Sequence, residues 1–256
     1  AEGHWRRAEQ ELSRSAALSD TPLINYLGAA RAAQKRGRTQ QRDHYLSQAA
    51  ESMPDAKLAV GLTQAEVQLS SAQVEQALAT LRLLQEGQPR HPYILYLLRK
   101  VYQRLNAWED LLQLIPQLLQ QRLIPDTEAR TLALECYTQR LSQLADDLGP
   151  LQSYWQQIPR PQHHHPELLL HYATLLIRHQ QEPEAEQLLH GYLKDEWHPQ
   201  LIRLFGQLQG GDPLLQLNRA ETWLGEYPKH PELLLALGRL AARAKLWGKA
   251  RGYYEA

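Results

Sequence analysis

The strongest constraint in this sequence is a beat of prolines. Seven of the fifteen prolines stand at 22, 54, 92, 125, 166, 199 and 231, with intervals of 32, 38, 33, 41, 33 and 32 residues. Their mean of about 35 lies close to the ~34-residue period of a tetratricopeptide array. Similar text follows several of them: His91-Pro92-Tyr-Ile-Leu-Tyr-Leu-Leu, His165-Pro166-Glu-Leu-Leu-Leu, His198-Pro199-Gln-Leu-Ile-Arg-Leu-Phe and His230-Pro231-Glu-Leu-Leu-Leu. Proline suits the first turn of a helix, where its missing N–H would have had no intrahelical partner. It also pushes the preceding residue out of helical angles, so each of these points marks a helix start.

A second helix in each period carries its own signature. Trp5-x2-Ala8-x3-Leu12, Trp108-x2-Leu111-x3-Ile115 and Trp247-x2-Ala250-x3-Tyr254 share one spacing, and Ala77-x3-Leu81 and Ala185-x3-Leu189 repeat its latter part. Spacings of three and four put these side chains on one helical face. The offsets of Gly238 from Ala250 and Tyr254 imply a close crossing of paired helices. Composition agrees: Leu occurs 49 times and Gln 29, whereas Val, Ile and Thr together occur 20 times. Strand formers are too few for a β-sandwich or barrel, and the helix formers dominate.

The fold class expected is therefore all-α, a tetratricopeptide-like superhelical solenoid of about seven antiparallel helix pairs. Residues 1–21 read as a partial repeat, 22–139 as regular repeats, and 140–256 as less regular repeats that stop within a second helix. The 41-residue interval contains Asp146-Asp147-Leu148-Gly149-Pro150, expected as a longer turn, and Trp197 to Pro213, with Gly206, Gly210 and Gly211, reads as short and irregular. Terminal repeats without polar caps expose apolar faces, so exposed hydrophobic side chains are expected towards one or both ends, where a second molecule could cover them.

Charge narrows the partners. Lys and Arg number 28 and Asp and Glu 28, which gives no bulk basic excess for nucleic acid or an anionic membrane. The single Cys136 excludes a disulfide framework and a CxxC zinc site. No apolar run approaches the ~18 residues of a membrane-spanning helix, so the chain is expected as a soluble fragment of something longer.

The run Ile24-Asn25-Tyr26-Leu27-Gly28-Ala29-Ala30-Arg31-Ala32-Ala33-Gln34-Lys35-Arg36-Gly37 resembles the first full repeat of the HemY family of proteobacterial inner-membrane proteins. So do His91-Pro92 through Tyr102, Ala107-Trp108-Glu109-Asp110-Leu111-Leu112 and Leu114-Ile115-Pro116. The resemblance covers essentially the whole chain, most strongly from about 22 to 120, and rests on packing motifs. It implies a parent anchored in the inner membrane through a missing N-terminal segment, with this array on the cytoplasmic side. It also implies an association with late haem (porphyrin) biosynthesis without a catalytic activity of its own. An unrelated flavin-dependent oxidase bearing the same name would need a GxGxxG loop between strand and helix, which this sequence does not contain.

Candidate chemistry is sparse. His163-His164-His165 could ligate a metal or haem iron, but His165 occupies the slot that His91, His198 and His230 fill before their prolines, which favours a structural, N-cap-like role. Cys136 falls on the apolar rhythm of a first helix, as a small core hydrophobe would. His171, Tyr172 and His179 share a Leu-rich helix, and the pairs Asp146-Asp147 and Asp195-Glu196 read as solvated turns without an acid–base partner. No catalytic residue and no metal site is expected. No cofactor is expected either, with haem as the one alternative.

The clearer signal is diffuse. In tetratricopeptide arrays the first helices line a groove, and here their non-core positions supply Asn25, Arg31, Lys35, Tyr96, Arg99, Lys100, Gln103, Arg104, Arg178, Arg239 and Arg243. Such a set would favour acidic peptide segments, C-terminal carboxylates or porphyrin propionates, although Lys and Arg stems also cover apolar surface without a ligand. The function expected is a non-catalytic protein–protein scaffold whose partners, by the resemblance, are late haem-biosynthesis enzymes. The alternative is a carrier that binds haem or porphyrin directly.

Overall fold

The computed structural model describes residues 2–256; Ala1, where the opening partial repeat was expected to begin, lies outside the described residues. Among them there are sixteen α-helices, two short 3-10 turns and no strand. The chain forms two compact units, Ala1–Ala133 and Leu134–Ala256.

The first unit holds α1 (Glu2–Leu18), α2 (Leu23–Lys35), α3 (Thr39–Ser52), α4 (Lys57–Ser70), α5 (Val74–Gly87), α6 (Pro92–Leu105) and α7 (Trp108–Gln120). The division between the units falls within α8 (Asp126–Gln143). The second unit continues with α9 (Leu148–Gln157), α10 (Arg160–His163), α11 (Pro166–Arg178), α12 (Glu182–Leu193), α13 (Pro199–Phe205), α14 (Pro213–Glu221), α15 (Pro231–Arg243) and α16 (Trp247–Glu255). Helices α2 and α3, α4 and α5, α6 and α7, α11 and α12, and α15 and α16 pack as consecutive pairs. This is a tetratricopeptide-like helical repeat.

Prolines open α6, α11, α13 and α15, whereas Pro22 is the N-cap of α2 and Pro54 opens a 3-10 turn ahead of α4. His91, His165, His198 and His230 take extended backbone angles at the N-cap, with Pro92, Pro166, Pro199 and Pro231 as the first helical residue. The carbonyl of each His accepts the first helical bond, as from Leu95 N (3.2 Å) and Leu234 N (3.0 Å). Their side chains do not cap the helix: each Nδ1 is shielded from solvent and lacks a hydrogen-bond partner. The recurrence is thus one of backbone geometry, fixed by the proline that follows.

The ends of the leading helices share a second device. A residue with positive φ follows α2, α4, α6, α11 and α15, namely Gly37, Ala72, Asn106, Gln180 and Lys245. The next amide reaches back to a carbonyl five residues earlier, as in Gln73 N to Gln68 O (2.9 Å) and Leu246 N to Ala241 O (2.9 Å). This 6→1 closure satisfies carbonyls that the helix end would orphan. Left-handed angles cost a non-glycine residue roughly 1–2 kcal/mol, so Ala72, Gln180 and Lys245 are held there by the bond and the packing rather than by preference.

The core follows the apolar rhythm. Ala30, Leu46 and Ala49 form a small cluster with Leu27 between α2 and α3. In the second unit, Leu168, Tyr172, Leu176, Ala185, Leu189, Phe205, Leu233, Leu237 and Leu240 belong to one continuous core. Close crossings use small residues: Leu12 lies against Gly28, Leu84 against Gly61 and the Tyr254 ring against Gly238. Large apolar side chains remain exposed near both ends, Leu18 and Ile24 in the first unit and Trp247 and Tyr254 in the second.

After α12 the short α13 packs on α12 and α15, and polar groups then hold the irregular 206–212 segment. Glu182 on α12 accepts from the amides of Gln209 (2.6 Å) and Gly210. Buried Gln216 donates to Glu186 (2.8 Å) and to the Gly210 carbonyl (2.9 Å), and Arg219 donates to Glu186 (2.7 Å). No helix among the described residues is long and apolar enough to cross a membrane.

Candidate functional site

Eight of the eleven candidate groove residues lie in the first unit, on α2 and α6: Asn25, Arg31, Lys35, Tyr96, Arg99, Lys100, Gln103 and Arg104. The leading helices α2, α4, α6 and the start of α8 present a connected polar wall. Arg31 donates from Nε to Glu66 (3.0 Å) and from Nη2 to Thr63 (3.3 Å), so that α2 is tied to α4. Glu66 also accepts from the Tyr93 hydroxyl of α6. Burial and the Glu66 carboxylate push that phenol up to about 12, which keeps it a proton donor. Tyr93 stacks on Tyr96 with centroids 5.8 Å apart, and the Lys100 ammonium sits 4.4 Å above the Tyr96 ring. Arg99 pairs with Glu128 of α8 at 2.8 Å.

The structure brings Arg31, Tyr96 and Lys100 into this relay through Glu66 and Tyr93, two residues that the sequence reading did not single out. Tyr93 directly follows a helix-start proline, and its ring remains partly exposed. Lys35 is exposed one turn beyond Arg31, Asn25 is half-buried on α2, and Gln103 is half-buried on the turn of α6 beyond Lys100.

Other members of the set serve the fold. Arg104 donates to the carbonyl of Leu69 at 2.6 Å, at the C-terminal end of α4. Arg243 does the same one array further on: it donates to the carbonyls of Leu208, Gln209 (2.6 Å) and Gly210 (3.2 Å) and to Gln216 (2.8 Å). His179, next to Arg178, donates from Nε2 to the carbonyl of Ala145 at 2.8 Å. Arg104 and Arg243 each stand twelve residues after a helix-start proline. Arg104 there meets a carbonyl at the negative dipole end of α4, and Arg243 meets carbonyls of the 208–210 segment beyond α13. Arg178 pairs with Asp146 at 2.9 Å on the surface, and Arg239 is half-buried with a shielded Nη1 that lacks a hydrogen-bond partner.

The histidine and cysteine candidates are packed. His163 stacks on Trp155 (4.3 Å between centroids) and its Nε2 donates to the Trp155 carbonyl at 3.0 Å; Trp155 stacks in turn on Tyr172 (4.1 Å). His164 is exposed, while His165 is the N-cap residue of α11. His171 lies 2.9 Å from Ser142, and burial lowers its pKa. Cys136 is buried, and burial raises its thiol to about 12, far from a reactive thiolate. No cluster of three or more His, Cys, Asp or Glu side chains among the described residues is arranged to hold a metal.

Open concavities also mark the surface of each unit. In the first unit a trench of about 790 Å³ runs between the end of α3, α4 and α5, walled by Met53, Leu58, Val60, Leu83 and Leu84. In the second, Trp197, Trp223 and Tyr227 border a 380 Å³ pocket beside the end of α12.

Paired helices on a tetratricopeptide-like period, with a polar and aromatic wall of leading helices in the first unit, define a tetratricopeptide-like helical-repeat protein. Residues 1–37 match the family model of the HemY protein N-terminus. Over 215 residues the chain is 28% identical to Protein HemY of Escherichia coli strain K12, covering 83% of this chain and 54% of that protein. Protein HemY of Shigella flexneri matches to the same extent. The chain is thus similar to HemY proteins over most of its length. The chain spans about half the length of the curated relatives it matches. Among solved structures, human IFIT1 dimer with m7Gppp-AAAA aligns over 98% of this chain and 67% of that chain, at 14% identity and a TM-score of 0.39. Pseudomonas aeruginosa pilF aligns over 82% of this chain and 94% of its own, at 16% identity and a TM-score of 0.34.

Proposed function

We propose that this chain is the non-catalytic, protein-binding array of a HemY-family inner-membrane protein, held on the cytoplasmic side and recruiting enzymes of late haem biosynthesis. The observation that carries this reading is the wall on α2, α4 and α6. There, the Arg31–Glu66–Tyr93–Tyr96–Lys100 relay spans three leading helices and leaves aromatic and cationic side chains facing solvent. Tyr and Arg dominate binding energy at protein interfaces because they combine apolar area with directed hydrogen bonds. The relation to HemY proteins supports the membrane and haem setting.

The array carries protein partners and no haem of its own in this reading. His163 and His179 already spend Nε2 on backbone carbonyls, so a haem titration should give no saturable Soret shift that depends on either residue. The decisive experiment is affinity capture from a proteobacterial membrane fraction with the full-length parent, comparing wild type with Lys35→Glu/Lys100→Glu. Neither lysine ties one helix to another, so the fold is preserved. Loss of haem-biosynthesis enzymes from the captured set is expected. An unchanged set, or capture of no such enzyme by the wild type, refutes the reading.

A further inference from the structure

The polar wall of the first unit is unevenly neutralised. Arg31 has Glu66 and Arg99 has Glu128 as carboxylate partners. Lys35, Lys100 and Arg104 have no carboxylate partner among the described residues: Lys100 lies over a ring and Arg104 donates to a carbonyl, which leaves its charge uncompensated. On the same exposed face of α6, before Lys100 and Arg104, stands the stacked Tyr93–Tyr96 pair, 39% and 40% exposed. The pair is held at both ends, by Glu66 through the Tyr93 hydroxyl and by Lys100 over Tyr96. Its rings therefore offer apolar area at little further entropic cost.

We propose that this strip binds an acidic segment of a partner protein, in which side-chain carboxylates flank one apolar side chain. The inference rests on the scaffold reading above and names the chemistry of its contact. The apolar side chain packs on the exposed edges of Tyr93 and Tyr96, and the carboxylates meet Lys100 and Arg104, which continue the same face of α6. Two uncompensated cations in line with two exposed rings, in a chain of zero net charge, are the complement of such a segment. A basic segment would meet like charge, and a purely apolar one would leave the cations unpaired.

A fluorescein-labelled peptide of four Glu and two Asp around a single Leu, acetylated and amidated so that only side chains carry charge, serves as the probe. Anisotropy with the wild-type chain should show saturable binding that weakens as ionic strength rises. Tyr93→Ala/Tyr96→Ala and Lys100→Glu should each weaken it about tenfold or more. The same peptide with Gln and Asn in place of its acids should bind at least ten times more weakly. Lys249→Glu, in the other unit, should leave binding unchanged. Circular dichroism and urea midpoints for each variant establish that the fold is retained. No saturable binding, equal binding of the neutral peptide, or equal binding by the strip variants overturns the assignment. If affinity capture of partners by the parent is lost in Lys35→Glu/Lys100→Glu while the peptide does not bind, the scaffold reading stands and the acidic-segment assignment falls.

Discussion

Gly206 offers the sharpest test of how the leading helices of the second unit pack. It is buried at the C-cap of α13 with φ −68° and ψ −9°, angles that alanine adopts freely. Any penalty for Gly206→Ala is therefore steric. A Cβ built there would lie 2.5 Å from Ala236 Cβ and 2.6 Å from Ala236 Cα on α15. Carbon atoms in contact prefer about 3.5–4.0 Å, so α13 and α15 would have to part by about 1 Å. The obstacle includes main chain and cannot rotate away. Overpacking of this kind costs roughly 1–3 kcal/mol, against a gain of about 0.4–1 kcal/mol from the less flexible unfolded chain. A net loss of about 1–2 kcal/mol is expected, which at a urea slope of about 1–3 kcal/mol/M moves the midpoint down by about 0.3–2 M. Two companions calibrate the result. Gly238→Ala meets only the ring of Tyr254, a half-exposed side chain that can swing aside, and should cost less. Gly191→Ala, within α12 with open space around it, should stabilise by about 0.5–1 kcal/mol. Urea unfolding followed by far-ultraviolet circular dichroism ranks the three. Wild-type stability for Gly206→Ala, or a greater loss for Gly238→Ala, would refute the packing argument.

Arg243→Ala removes four hydrogen bonds that hold the Leu208–Gly210 carbonyls and Gln216; with charge-assisted bonds worth about 1.5–3 kcal/mol, a loss of about 2–3 kcal/mol is expected, and amide exchange over 206–212 should accelerate. Arg104→Ala, with one such bond, should cost less by the same measurement. Burial lowers the pKa of folded His171 below its unfolded value of about 6.5; below that pH the unfolded chain takes up a proton that the folded chain refuses, so stability is full above it and falls with acidification. His171→Gln should flatten the slope of urea midpoint against pH between about 7 and 5, and an unchanged slope would refute this assignment. Native Cys136, with its thiol raised to about 12 and buried, should resist iodoacetamide at pH 8 and react at once in urea; fast labelling of the folded chain would show that the helix around it opens.

Helix starts were legible in the sequence because proline acts through its own ring and through the residue before it. His91-Pro92 and His230-Pro231 needed no tertiary information to open a helix, and Gly238 announced its crossing through its offset from Tyr254. The closing turns were less legible. Gly37 and Asn106 suit positive φ, whereas Ala72, Gln180 and Lys245 carry no such preference and take it because a 6→1 bond and the next helix require it. The candidate wall was visible as residue types but not as a network. Helical spacing selects Tyr96, Lys100 and Arg31; it cannot say that Glu66 and Tyr93 link them.

Local chemistry, repeated at a steady interval, thus determined the all-helical class, the period and the positions where helices begin. Which cations remain available was decided only by the tertiary structure, because a guanidinium's partner is whichever group the neighbouring repeat carries to it. Arg243 looks like a binding residue in one dimension, yet the 208–210 segment, up to 35 residues away, supplies the carbonyls that engage it. Lys100 finds a ring instead of a carboxylate, and its charge is left for a partner.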